Sequence, residues 1–140
     1  MRKSKFLIFS ILIIILDQIS KFYLTNKNVR LTNFLYFNYV ENTGAAFSIF
    51  QNQKFLLILI SVVVFLVLIY YFIKLNNNIL LIGISFLFGG ILGNLIDRIY
   101  FGYVRDFIDL KIWPVFNIAD SFNTVGAVLL AYYLIKGKDI

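Results

Sequence analysis

The chain has no cysteine and no histidine among its 140 residues. Without cysteine there is no disulfide, no thiolate nucleophile and no Cys-ligated metal. Without histidine, the usual general base at neutral pH and the commonest zinc ligand are both missing. Acid–base chemistry therefore falls to Asp, Glu, Lys or Tyr. Acids are scarce as well, comprising Asp17, Glu41, Asp97, Asp106, Asp109, Asp120 and Asp139. Charged residues of both signs make up only 14% of the chain, too few to cover a soluble globule of this size.

What is abundant is apolar. Hydrophobic residues reach 61% and the mean hydropathy is +0.86, well above the roughly 45–50% apolar content of soluble domains. They occur in long blocks, where a soluble amphipathic helix would show a stripe. Four blocks approach the length of about 20 residues that a spanning helix needs: 6–24, 55–73, 79–98 and 115–135. The first follows Arg2, Lys3 and Lys5 like the h-region of a signal peptide. No A-x-A-like cleavage site follows it, and the run continues through Asp17-Gln18, so an uncleaved anchor is expected. Lys74 to Asn78 reads as a tight turn between antiparallel spans. Thr25 to Lys54 holds Asn, Thr, aromatic and β-branched residues, with partial alternation over Leu31–Val40. The expected fold is an all-α integral membrane protein with four transmembrane helices and a small extramembrane β-rich segment between the first two. Residues 1–140 are expected to form one polytopic domain, with Tyr100–Pro114 as a loop.

The net charge of +6 does not point to nucleic acid, because the basic residues are scattered and no cluster forms a backbone-binding patch. Contact with anionic lipid headgroups is the expected use. Arg2, Lys3, Lys5, Lys136 and Lys138 in short tails, with Lys74 in the turn, favour cytoplasmic termini. Lys27, Arg30, Lys54, Arg105 and Lys111 lie on the opposite side, in longer loops.

Ionisable groups inside spans are costly, about 2.5–3.5 kcal/mol for Asp or Lys at a helix centre, so each needs an account. Asp17 and Lys21 stand at i and i+4, the favourable order for pairing; a self-neutralising pair that eases insertion is the simpler explanation. Gly90, Asn94 and Asp97, at i, i+4 and i+7, share a face with Arg98 beside them. Close helix packing explains Gly89, Gly90 and Gly93, but explains the polar trio poorly. Asn117, Asp120, Ser121 and Thr124 share a face at the start of the fourth block. Asn117 is the better placed for an N-cap, leaving Asp120 as a core-facing carboxylate. Asp106 and Asp109 bracket Phe107-Ile108 in the expected loop, which is long enough to fold Asp106 back beside Asp120.

Two such carboxylates can hydrolyse a peptide without histidine, cysteine or metal. Held about 3 Å apart they cannot both ionise and share one proton. The ionised partner takes a proton from water and the protonated one donates to the carbonyl oxygen.

Five segments resemble the lipoprotein signal peptidase family (signal peptidase II): Asp17-Gln18-Ile19-Ser20-Lys21, Asn42 to Ser48, Gly89 to Arg98, Val104 to Phe107, and Phe116 to Asp120. They match its D-Q-x-x-K, N-x-G-A-A-F-S, G-G-x-x-G-N-x-x-D-R, V-x-D-F and F-N-x-A-D elements in family order. The resemblance implies a membrane-embedded aspartyl endopeptidase with cytoplasmic termini and an active site at the outer face of the bacterial cell membrane. It implies cleavage N-terminal to the diacylglyceryl-modified cysteine of prolipoproteins, no cofactor and no metal. It also implies Asp106 and Asp120 as the catalytic pair. Supporting or substrate-binding positions carried over are Asp17, Lys21, Asn42, Gly44, Gly90, Asn94, Asp97, Arg98 and Asn117. Asp109 falls outside the V-x-D-F match. Small residues Gly44, Ala45 and Ala46 would leave room for a substrate chain, and Asn42 and Arg98 are expected to hold its carbonyls.

Two rivals remain at this level. A four-helix proton-coupled transporter would use buried acids as a relay near the midplane, whereas these acids sit towards helix ends. A magnesium-dependent transferase would gather Asp97, Asp106, Asp109 and Asp120 around a hard cation.

Overall fold

The computed structural model describes residues 3–45 and 49–136. Arg2, Ala46, Phe47, Ser48 and Lys138, which figured in the expectations above, lie outside the described residues. A short 3-10 turn, Lys3–Phe6, leads into α1 (Leu7–Leu24). Strands β1 (Asn28–Arg30) and β2 (Tyr36–Asn42) follow, then the helical hairpin of α2 (Lys54–Lys74) and α3 (Asn78–Tyr100). Strand β3 (Val104–Asp109) and α4 (Ile118–Lys136) complete the chain. With the turn that precedes α1, all four helices are long and apolar enough to cross a membrane. The expected four-span architecture is present, and this is a multi-pass membrane protein.

Helix α3 is the hub. It packs most extensively on α4, then on α1, and more lightly on α2. Glycines permit close approaches on both sides of α3. A Cβ on Gly89 would sit 2.7 Å from Ile13 of α1, and one on Gly90 would come 2.5 Å from the Ala119 carbonyl oxygen of α4. The glycines therefore serve helix packing, as expected. A Gly90→Ala substitution is expected to force α3 and α4 apart at a cost of about 1–3 kcal/mol, read as a lower apparent Tm in detergent. An unchanged Tm would mean that the interface tolerates a methyl group there.

The outer surface of the bundle stays apolar, as a lipid-facing surface requires, while the core is small: Phe6, Leu68, Phe72, Leu81, Ile84 and Phe88. The side chain of Lys3 donates to the carbonyls of Phe72 and Ile73 at the C-terminus of α2. A cation there complements the helix dipole, and the contact places the start of α1 and the α2–α3 turn at one end of the bundle.

At the other end lies a three-stranded antiparallel sheet of order β1-β2-β3. The segment between the first two spans supplies only two strands. The third comes from Tyr100–Pro114, expected as a loop. Val40 pairs with Asp106, Glu41 with Arg105 and Asn42 with Val104, beyond an irregularity between Phe37 and Val40. The fourth helix starts at Ile118, three residues later than expected. Phe116 is held extended by backbone hydrogen bonds with Phe107 and Ile108, and Asn117 caps the helix.

Candidate active site

The site is assembled where the C-terminal end of α3, the N-terminal end of α4 and β3 meet. Asn117 accepts from the Asp120 backbone N–H at 2.8 Å, and Asp120 Oδ2 reaches back to the Asn117 N–H at 3.2 Å. This is a reciprocal cap. It fixes the direction of the Asp120 carboxylate, with one oxygen tied to its own helix start. The other, Oδ1, accepts from Asn94 Nδ2 at 2.8 Å.

Asp106 lies on the central part of β3 and is 2% exposed. Its Oδ1 accepts from Asn117 Nδ2 at 2.6 Å and its Oδ2 from Asn42 Nδ2 at 2.9 Å. Asn117 Nδ2 also donates to Asn94 Oδ1 at 3.0 Å. A continuous chain of amides, Asp106–Asn117–Asn94–Asp120, therefore joins the two acids. Each carboxylate oxygen takes one donor from this set, which leaves acceptor capacity for a proton or a water. Burial pushes the Asp106 carboxyl up to about 7, reinforced by the nearby Asp120 charge; Asn42, Asn117 and Lys21 oppose the shift. The structure sets Asp106 and Asp120 in one hydrogen-bonded network, as the length of the segment between them allows.

Beneath them lies a buried ionic floor. Lys21 is fully buried and has three acceptors for its three ammonium protons: Asp17 Oδ2 at 2.8 Å, Asp97 Oδ2 at 3.2 Å and Asn94 Oδ1 at 3.0 Å. Asp97 also takes Arg105 through its backbone N–H at 2.9 Å and its Nη2 at 2.8 Å. Asp17 Oδ1 crosses to the Ala119 backbone N–H of α4 at 2.9 Å. Asp17 and Lys21 are thus more than an insertion pair, since they anchor the start of α4. Two acids and two bases balance.

Two participants were missed from sequence. Gln18 bonds Asp17, Asp97, the Gly93 carbonyl and Arg105; its only signal was its place within the first motif. Arg105, expected only as a basic residue of a loop opposite the termini, is buried against Asp97. Asp109 faces elsewhere, bonding Asn38 and Lys111. Those bonds hold its carboxyl below the usual range, the contact with Lys111 being the largest influence. Asn42 and Arg98 both line the cleft above the pair, and each also bonds a protein group. Asn42 Oδ1 accepts from the Gly44 N–H at 2.9 Å, and Arg98 Nη2 donates to the Gly44 carbonyl at 3.1 Å. Gly90 lies behind the site at the α3–α4 contact.

Above the pair opens a cleft of about 700 Å³. It is lined among others by Asn42, Asn94, Arg98, Trp113, Asp120 and Asn123. Such a volume suits an extended peptide segment or a comparable ligand.

Comparison with known proteins now bears on this geometry. The family model for signal peptidase (SPase) II matches residues 9–136. The chain belongs to the signal peptidase II family. A lipoprotein signal peptidase of Caldanaerobacter subterraneus subsp. tengcongensis is 47% identical over 132 residues, covering 88% of this chain and 90% of that one. One from Clostridium novyi is 42% identical over 136 residues, covering 88% and 92%. A bacterial membrane enzyme solved by the in meso method superposes with a TM-score of 0.91 at 32% identity, covering 97% of this chain and 90% of that one. A signal peptidase II is an aspartic-type hydrolase, and a site built on two carboxylates fits that class. The transporter reading is not favoured.

Proposed function

We propose that this protein removes the signal peptide from prolipoproteins by cutting on the N-terminal side of a diacylglyceryl-modified cysteine, with Asp106 and Asp120 as the catalytic pair. The observation that carries this reading is the amide-linked pair of carboxylates, one on a strand and one at a helix start, at the wall of an open cleft. With one proton between them, the ionised carboxylate takes a proton from water as its oxygen attacks the peptide carbonyl carbon. The protonated carboxyl gives its proton to the carbonyl oxygen, forming a tetrahedral diol. Collapse of the diol breaks the C–N bond, a proton passes to the departing amine, and the pair again holds one proton. Because the two acids titrate as a unit, the active form is the one with a single proton.

The remaining residues support the pair. Asn94, Asn117 and Asn42 orient the two carboxylates, while Asp17, Lys21 and Asp97 hold Asn94 and the start of α4. Arg98 and Gly44 fix the β2 side of the cleft, and Gly90 lets α4 approach. The 140 residues act as one membrane peptidase unit in the bacterial cell membrane, with lipid around the helices and no nucleic-acid partner. Termini in the cytoplasm and the sheet end outside are supported by Lys3, Lys5, Lys74 and Lys136 at the sheet-distal end. A lipid-anchored cysteine then holds the scissile bond at headgroup depth, beside a pair formed at helix ends.

The test is cleavage of a diacylglyceryl-modified prolipoprotein by the purified protein in detergent, with chelator present, from pH 5 to pH 9. Cleavage beside the modified cysteine is expected. An acid whose proton is held up to about 7 loses it as pH rises through that value, so kcat/KM should fall by about tenfold per unit above it. No cleavage by a folded protein would overturn the reading. Cleavage seen only without the chelator would make the reaction metal-dependent and overturn the two-carboxylate mechanism. A kcat/KM still rising at pH 9 would remove Asp106 as the proton holder.

A further inference from the structure

Asn123 falls in none of the five motif segments, yet it lines the cleft three residues beyond Asp120 on α4. Its side chain occupies the notch that Gly90 leaves open, since a Cβ at Gly90 would run into the Asn123 amide. Its Oδ1 is buried and has no hydrogen-bond partner among the described residues. Around it, the other polar side chains of α4 that face the cleft are committed. Asp120 is held by Asn94 and by its own helix start, and Thr124 donates to the Asp120 carbonyl. A buried amide oxygen without a donor costs about 1–3 kcal/mol, a cost that a donor supplied by a ligand in the cleft would offset.

We propose that Asn123 is a substrate-binding residue, pairing through its amide with the backbone of the substrate on the bilayer side of the scissile bond. The inference rests on the peptidase reading above. A signal peptide must be extended to place a peptide bond between two carboxylates. An extended backbone at the membrane boundary leaves N–H and C=O groups without partners, each costing several kcal/mol in hydrocarbon. A carboxamide supplies two N–H donors and an acceptor to such a backbone without carrying charge. Three residues along α4 is a rise of about 4.5 Å from Asp120, the distance of one to two residues of extended chain. Asn123 therefore meets the substrate one or two residues from the bond being cut, on the side leading into the membrane.

The test uses Asn123→Leu, close in volume and without hydrogen-bonding groups, and Asn123→Gln, which keeps the carboxamide. Each is made in the wild-type chain and in the Asp120→Asn chain. A fluorescent diacylglyceryl-modified signal peptide serves as probe, with KM and kcat read in the first background and Kd in the second. Asn123→Leu is expected to raise KM and Kd together by about tenfold, that is about 1.4 kcal/mol. The apparent Tm should be unchanged or higher and the pH profile unmoved, and Asn123→Gln should recover part of the loss. Unchanged KM and Kd with a shifted Tm would make Asn123 a packing residue and overturn the proposal. If the wild type cuts nothing, the peptidase reading fails; Kd in the Asp120→Asn chain then still decides whether Asn123 holds the peptide.

Discussion

Asp120→Asn is expected to lower the rate of prolipoprotein cleavage by about 10³-fold or more while leaving the fold close to intact. Removing one member of a general acid–base pair costs on the order of 10²–10⁴ in rate, and here the same residue is needed both to take and to return a proton. The structural cost is small by comparison. Asn94 Nδ2 and the Asn117 N–H both donate to the Asp120 carboxylate. Asn94 cannot turn over to suit an amide, because its Oδ1 already serves Lys21 and Asn117. An asparagine at 120 therefore satisfies one of the two donors and loses the other, worth about 1 kcal/mol, and a buried charge is relieved in exchange. Activity and stability should separate: a collapse of kcat against an apparent Tm within a few degrees of wild type. Asp109→Asn is the matched control. It removes the ion pair with Lys111 and leaves one oxygen where two served the donors of Asn38 and Lys111, so it should weaken the β3 end of the sheet and leave most of the cleavage rate. Comparable cleavage by Asp120→Asn and wild type would take Asp120 out of the chemistry.

The control also marks where sequence alone stopped short. Hydropathy located all four spans, because a lipid-facing helix must be apolar along its length and the signal does not depend on any other part of the chain. The pairing of Asp17 with Lys21 and the shared face of Gly90, Asn94 and Asp97 were legible for a similar reason, since both follow from helical spacing. Strand β3 was not. Val104–Asp109 is buried on both faces apart from Ile108, so it shows no alternation. Its partner Tyr36–Asn42 lies more than sixty residues earlier. Strand identity there is set by a non-local pairing that no window of sequence contains. Arg105 was misplaced by the same route. As a loop residue it had no expected partner, and only the return of β3 onto the end of α3 sets it against Asp97. The start of α4 was placed early because Val115-Phe116 extends the apolar run. What decides it is Asn117 as a local cap, legible in the sequence, together with Phe116 as a bridge to Ile108, which is tertiary in origin.

The ionic floor beneath the pair carries the second large effect. Lys21→Met is expected to destabilise the protein by about 3–5 kcal/mol, the usual consequence of removing one partner from a buried ion pair. Asp17 and Asp97 would be left facing each other across the space of the lost ammonium, both 0% exposed, with only Arg105 to balance them. If the single variant fails to accumulate, the double variant Asp17→Asn with Lys21→Met keeps the question open to measurement. It removes one charge of each sign and leaves the Asp97–Arg105 pair neutral, so it should be more stable than Lys21→Met alone by about 2 kcal/mol. A double variant no more stable than the single would mean that the two side chains do not act as a pair. Activity should not return with stability. Lys21 holds Asn94 Oδ1, and Asn94 in turn holds Asp120 and shares Asn117 with Asp106, so the orientation of both carboxylates depends on it. Lys21 also draws the Asp106 carboxyl downward against burial and the Asp120 charge. Without it, Asp106 should keep its proton to higher pH, and the alkaline fall in kcat/KM of the double variant should move upward. A profile that stays in place would confine Lys21 to holding the helices together.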